Sequence, residues 1–266
     1  MGKTRTEPTS PPLPARLVEQ LRELRLPAFR DHYEAQAERA TKEQWSYQQY
    51  LEALTSREIE TRMQGRIQRL AKASRLPAGK SWDNFQWPRV SKIAMQQMHS
   101  LRDGSFLDRR ENVLVFGKPG SGKTHALCGL GEQLVLQGRS VYFASCSLLV
   151  QDLLVAKRDL KLAKVVKRLA GFEALIIDDL GYVQQSREEM EVLFTLLAER
   201  YERGSVLLTS NLPFSQWTQI FKDPMTTAAA IDRLVHHSVI VELNVASYRL
   251  EAAKSARTPK DKAPDG

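Results

Sequence analysis

The sequence predicts an α/β protein: a parallel sheet flanked by helices, preceded by a small all-helical domain. Three observations lead there. Five short β-branched and apolar runs, ENVLVFG, SVYFAS, EALIIDDLG, SVLLTSN and SVIVELN, alternate with helical stretches from residue 111 onward. Near-continuous apolar runs suit strands covered on both faces, as in a parallel sheet between helix layers. Upstream of them, apolar residues recur at steps of three and four, the period of an amphipathic helix. Finally, a glycine-rich loop joins the first run to the helical stretch after it.

In chain order, residues 1–12 are rich in Thr, Pro and Ser and are expected to be a disordered tail. Residues 13–76 read as a helical domain. Leu17, Leu21 and Leu24 form one apolar stripe, ended by Pro27. A longer stripe runs Tyr47, Tyr50, Leu51, Leu54, Ile59, Met63, Ile67, Leu70, with Ser46 or Thr41 as its opening cap. Residues 77–90 carry two prolines, a glycine and two tryptophans without a period, and read as a linker. The α/β domain is expected over 91–250, opening with a helix from Ser91 to about Leu101; residues 251–266 are expected to be a second disordered tail.

Composition narrows the function classes. The chain has 266 residues, 42% hydrophobic and 26% charged, with two cysteines and a net charge of +8. That is a globular composition with room for a large core. No apolar run approaches the roughly 20 residues that span a bilayer, and the start lacks an apolar signal core. Cys128 and Cys146 have no metal-ligand spacing and suit a reducing cytoplasm. The basic excess is uneven. Residues 1–111 hold 20 Lys/Arg against 14 Asp/Glu, and residues 112–266 hold 19 against 17. A polyanionic partner for the N-terminal part is the expectation.

Gly117-Lys118-Pro119-Gly120-Ser121-Gly122-Lys123-Thr124 matches G-x-x-x-x-G-K-[ST] in full, between a strand run and a helical stretch. Glycines let successive amides face phosphate oxygens, and the following helix N-terminus favours anions. Lys123 is expected to reach the β- and γ-phosphates, and Thr124 to ligate magnesium. Asp178 and Asp179 end the apolar run ALII, which places them at the C-terminal sheet edge where ligands bind. Asp178 is the expected magnesium holder through water, and Asp179 the group that orients the attacking water. Ser210 or Asn211 ends the next run, where an amide can bond the γ-phosphate; the alternative is a turn before Pro213.

In order, GKPGSGKTH, LIIDDLGY, LLTSNLPFSQW, IDRLVHH and ASYRL resemble the IstB-like ATPases, helper proteins of a group of bacterial insertion sequences. LRELRLPAFRDHYE and a W-D-N-F segment extend the resemblance over residues 13–250. It implies an AAA+ P-loop NTPase of the initiator and DnaC-type branch, with a reduced or absent C-terminal lid. It also implies ATP and Mg2+ as cofactors, a bacterial cytoplasmic protein, oligomeric assembly on double-stranded DNA, and cooperation with the element's transposase. By the same resemblance Asn211 takes the sensor-one position. Arg233 is the arginine finger that reaches a neighbour's ATP, and Arg249 a second sensor. His125 follows the loop and is grouped with the nucleotide-binding residues.

Two basic stripes are candidate DNA surfaces. Arg62, Arg66 and Arg69, continued by Lys72 and Arg75, share a helix face distinct from the Ile59/Met63/Ile67/Leu70 stripe. Lys157, Lys161, Lys164 and Arg168 lie at i, i+4, i+7 and i+11. The bland alternative for both is a solvated face. His236 and His237 lack a ligand-spaced partner and read as structural. The leading function is an ATP-dependent DNA-binding transposition helper. A DnaC-like helicase loader, a small-molecule kinase and a nucleotide-gated DNA-binding module that hydrolyses little are the competitors.

Overall fold

The computed structural model describes residues 13–181, 186–221 and 224–248. The chain divides into two compact units, Met1–Gln68 and Arg69–Gly266. The expected boundary near residue 76 therefore moves into the interior of a long helix.

The first unit contains α1 (Leu13–Glu23), α2 (Pro27–Lys42) and the first part of α3 (Tyr47–Ser74). Pro27 opens α2, where its missing N–H has no partner to lose. Ser46, not Thr41, caps α3. Its Oγ accepts the Gln49 N–H at 3.2 Å while Gln49 Oε1 accepts the Ser46 N–H at 2.7 Å.

The packed face of α3 takes in only part of the apolar stripe. Leu54 and Glu58 are buried, whereas Ile59 is 68% and Met63 38% exposed. The cause is polar. Glu58 Oε2 accepts the Ala28 N–H at 2.8 Å, satisfying an otherwise orphaned amide at the start of α2. Its Oε1 accepts from Arg62 Nε at 2.7 Å, and Arg62 Nη2 donates to Arg25 O at 2.6 Å. Arg62, expected on a DNA-facing surface, is thus engaged in the unit's own packing. Arg66 lies exposed one turn on.

In the second unit the five expected runs all form strands: β1 (Asn112–Phe116), β2 (Val141–Ser145), β3 (Ala174–Leu180), β4 (Ser205–Ser210) and β5 (Ser238–Glu242). They make one parallel sheet in the order β2-β3-β4-β1-β5. The intervening helices are α4 (Lys92–Ser100), α5 (Ser105–Asp108), α6 (Lys123–Leu136), α7 (Cys146–Arg158), α8 (Leu162–Ala170), α9 (Arg187–Arg200), α10 (Thr218–Phe221) and α11 (Pro224–Val235). Leu114, Leu175, Ile176 and Leu207 are fully buried in the sheet, as strands covered on both faces require. Cys128 and Cys146 are buried and free, and burial pushes the Cys128 thiol up to about 12.

Two expectations change here. Residues 77–90 are no loose linker. They form short 3-10 turns at Trp82–Asn84 and Trp87–Arg89, with Trp82 and Phe85 buried. Trp82 Nε1 donates to Ala126 O at 2.8 Å, and its ring lies so close to α6 that a Cβ on Gly129 would sit 2.0 Å from it. Two tryptophans and a phenylalanine bury too much apolar area to stay in a free tether. The second basic stripe also breaks. α7 ends at Arg158, Leu160 takes a left-handed turn at φ 56°, and α8 starts at Leu162. Lys157 pairs with Glu191 at 3.0 Å and Lys161 with Asp159 at 3.4 Å. The four cations do not share one helix face; lysines at a helix C-terminus favour its dipole, so the charge run continues through the stop.

Candidate functional site

The glycine-rich loop leaves β1 at the C-terminal edge of the sheet and enters α6. Gly122 sits at φ 94° directly before that helix, a left-handed conformation that disfavours any side chain. The chain holds the loop from several sides. Gly117 N donates to Ser210 O at 3.3 Å, and Tyr248 N donates to Gly120 O at 3.0 Å. Ser247 lies so close that a Cβ on Gly120 would stand 2.1 Å from its Oγ. Lys123 is 6% exposed, and its ammonium donates to Gly117 O at 2.9 Å and Lys118 O at 3.1 Å. Ser121 Oγ is buried among the loop residues, with no hydrogen-bond partner among the described residues.

A cleft of ≈ 360 Å³ opens beside the loop. Pro119, Gly120, Gly122, Lys123, Thr124 and His125 form one side of it, and Asp179 and Asn211 another. Lys80, Asn84, Phe85, Gln86 and Tyr248 line the rest. A flat aromatic and amide end beside a cationic glycine cradle fits a nucleotide: base at one end, phosphates at the other. His125 Nε2 lies 2.8 Å from Ser81 O and its ring stacks edge-on against Phe85, so it joins the Trp82 segment to the loop helix.

The acidic pair owes its geometry to a strand irregularity. β3 and β4 pair as Ile177 with Leu208 and then Leu180 with Ser210, so two residues of β3 oppose one of β4. Asp179 takes the left-handed conformation at φ 61°. Asp178 is 7% exposed and Asp179 faces the cleft. Thr209 spans both: its hydroxyl donates to Asp178 Oδ1 at 2.7 Å and accepts the Asp179 N–H at 2.8 Å. Sequence reasoning passed over Thr209 for Ser210 and Asn211. Ser210 Oγ instead bonds Leu180 O and Leu212 O, a turn role, while Asn211 lines the cleft.

Lys123, Thr124, His125, Asp179 and Asn211 therefore meet in one cleft. Arg233 does not join them. Its backbone O accepts from Asn112 Nδ2 at 3.3 Å, at the opposite end of β1 from the loop, about 13 Å of strand away. Its guanidinium donates to Ala229 O at 3.2 Å and lies 4.5 Å from the Phe194 ring centre. Arg249 falls outside the described residues.

A family model described as IstB-like ATP binding protein matches residues 19–256. An insertion-sequence ATP-binding protein of Sinorhizobium fredii is 40% identical over 244 residues, covering 91% of this chain and 82% of that protein. An IS21 ATP-binding protein of Pseudomonas aeruginosa is 34% identical over 225 residues, with 85% of each covered. Among solved structures, AMPPCP-bound DnaA from Aquifex aeolicus aligns at TM-score 0.55 and 15% identity, over 73% of this chain and 58% of that one. The DnaC helicase loader aligns at TM-score 0.54 and 14% identity, over 63% of this chain and 98% of that one. At those identities the likeness is one of fold.

Proposed function

This chain belongs to the IstB-like ATP-binding protein family, and from that premise we propose that it is an ATP-hydrolysing helper of insertion-sequence transposition. It assembles as an oligomer on duplex DNA when ATP is bound, and acts with the transposase of the same element in target DNA selection or remodelling. The observation that carries this reading is the two-edged sheet. The nucleotide cleft sits at the C-terminal end of β1 and the Arg233 backbone by its other end, away from its own cleft, which supports a role of Arg233 toward a neighbour's nucleotide.

In this reading the loop amides and Lys123 grip the phosphates, with the Ser121 hydroxyl inside the same cradle. Thr124 and Asp178 hold Mg2+, which withdraws charge from the γ-phosphate when bound. Asp179 and Asn211 orient the attacking water. Arg233 of an adjacent copy neutralises charge developing on the transferred phosphoryl group. Arg66, Arg69, Lys72, Arg75, Lys164 and Arg168 supply phosphate contacts to DNA, with Arg62, Lys157 and Lys161 contributing where their acidic partners exchange. Such contacts are salt-sensitive and carry little base readout.

A DnaC-like replicative helicase loader shares the motor fold and is the second reading. Full-length likeness to insertion-sequence proteins favours the first. The deciding experiment measures particle size and DNA binding with and without non-hydrolysable ATP, on single- and double-stranded DNA. Nucleotide-dependent growth on duplex, abolished in Lys123→Ala, is expected. Assembly unchanged in Lys123→Ala removes the phosphate-loop role, and a strict single-strand preference favours the loader.

A further inference from the structure

Residues 236 and 237 gain in three dimensions the partner that their sequence neighbourhood lacks. Ligand atoms of Glu202, His236 and His237 all lie within 4.8 Å of one another, the one group of three such side chains that meets this distance among the described residues. Glu202 belongs to the turn between α9 and β4, and the histidines to the junction of α11 with β5. We propose that these three side chains form a binding site for a borderline transition-metal dication of the zinc class, with a fourth position left for water.

The backbones that carry the ligands are fixed. His237 O accepts the Asn112 N–H at 2.7 Å, and His236 N donates to Asp232 O at 3.0 Å. Glu202 holds a left-handed φ of 57°, and its carbonyl accepts from the Arg110 guanidinium. Tyr201 Oη lies 3.2 Å from His236 Nδ1 and orients that imidazole, as outer partners of metal-bound histidines do. Two imidazoles and a carboxylate suit zinc, whose ligands stand about 2.0–2.2 Å from the ion. Exposed side chains close the remaining gap by small rotations.

The ligand atoms choose the kind of ion. Arg109, Arg110 and Arg233 line the same hollow as Glu202 and His237, and Arg109 pairs with Glu111 through two bonds at 2.9 Å. Magnesium and calcium take oxygen ligand sets and are disfavoured by two imidazoles, whereas an ion bound through nitrogen lone pairs is not. Once bound, it would tether the α9–β4 turn to the α11–β5 junction.

The test titrates nucleotide-free, tag-free full-length chain, stripped with chelator, with Co2+ and then Zn2+. One saturable equivalent with the visible bands of four-coordinate Co2+, displaced by Zn2+, is expected. The equivalent should vanish in His236→Gln/His237→Gln and weaken about 10–100-fold in Tyr201→Phe. Lys123→Ala should bind the metal like the parent, which separates this site from the nucleotide cleft and keeps its fate independent of the proposed function. If the double variant unfolds, Glu202→Gln, an exposed isosteric change, must weaken binding in its place. No saturable equivalent in the parent, or equal binding in folded ligand variants, overturns the site.

Discussion

Thr209 donates its hydroxyl proton to Asp178 Oδ1 at 2.7 Å across the β3–β4 pair. The Thr209 hydroxyl oxygen accepts the Asp179 N–H, so one small side chain sets the aim of both acids. Thr209→Val keeps the shape but leaves a buried N–H and a buried carboxylate each short of a partner. One such loss is worth about 1–3 kcal/mol, or roughly ten- to a hundredfold in rate if it misplaces the acids. We expect ATP-analogue affinity within a few-fold of the parent and hydrolysis lowered by at least about tenfold, with Thr209→Ser restoring it. Steady-state hydrolysis beside analogue binding reads the split, and parental turnover in Thr209→Val refutes the positioning role.

Arg200 is the clearest stability residue outside the site. It is 1% exposed, and its guanidinium donates to the carbonyls of Leu169, Phe172, Glu173 and Ser205. Burial pushes it down to about 10, still protonated at neutral pH, so its donors stay in place. Arg200→Leu removes a donor from four carbonyls, of which Leu169 O and Glu173 O keep the Phe172 and Ser205 N–H groups, and should cost about 3 kcal/mol or more, a large share of a typical domain's stability. Gly204→Ala should act in the same direction, since its Cβ would stand 2.7 Å from Arg200 Nη2. Urea midpoints at unchanged m-value measure both.

The parts of this molecule that sequence shows are those whose chemistry is local. The loop from Gly117 to Thr124 reads directly because tight turn, lysine and helix start are consecutive. The inner strands β1, β3 and β4 read directly because burial on both faces makes each run apolar on its own. What sequence hides depends on register and packing. Thr209 matters because a bulge sets it against two residues of β3. Glu58 matters because α2 begins where its carboxylate ends. The break at Leu160 is invisible because basic residues lie on both sides of it. Trp82 looked like linker because its partner, Gly129, lies 47 residues further along the chain.

Glu173 gives a pH dependence with a definite sign. Burial acts to raise its carboxyl, but the Ser140 N–H at 2.8 Å, the Arg139 guanidinium at 2.8 Å and the Ser140 hydroxyl at 3.1 Å together hold it below the ordinary range. A carboxyl depressed on folding stabilises the fold above its unfolded value, about 4.3, and loses that contribution as pH falls through the lower folded value. Glu173→Gln should therefore be less stable than the parent near neutral pH. The two should converge as pH falls through that lower folded value. Denaturant midpoints across that range check it, and a constant gap would assign the effect to packing alone.

Arg75 and Arg168 come from different basic stripes, yet both guanidinium groups lie over the Tyr142 ring, at 5.3 and 5.9 Å from its centre. Tyr142 is only 4% exposed, so the ring acts as a platform that holds two cations near each other, neither of them paired to an acid among the described residues. If duplex phosphates lie there, neutralising both arginines as Arg75→Gln/Arg168→Gln should weaken binding about equally for all sequences. It should also flatten the slope of log affinity against log salt by about 1.8. Arg66→Gln/Arg69→Gln is the matching change on α3 and should flatten the slope by a similar amount. Arg62→Gln, by contrast, should lower thermal stability, because its guanidinium bonds Glu58 and Arg25 O. Fluorescence anisotropy on duplexes of different sequence over a salt series reads the two double variants, and thermal melting reads Arg62→Gln. An unaltered slope in Arg75→Gln/Arg168→Gln moves the DNA path away from Tyr142.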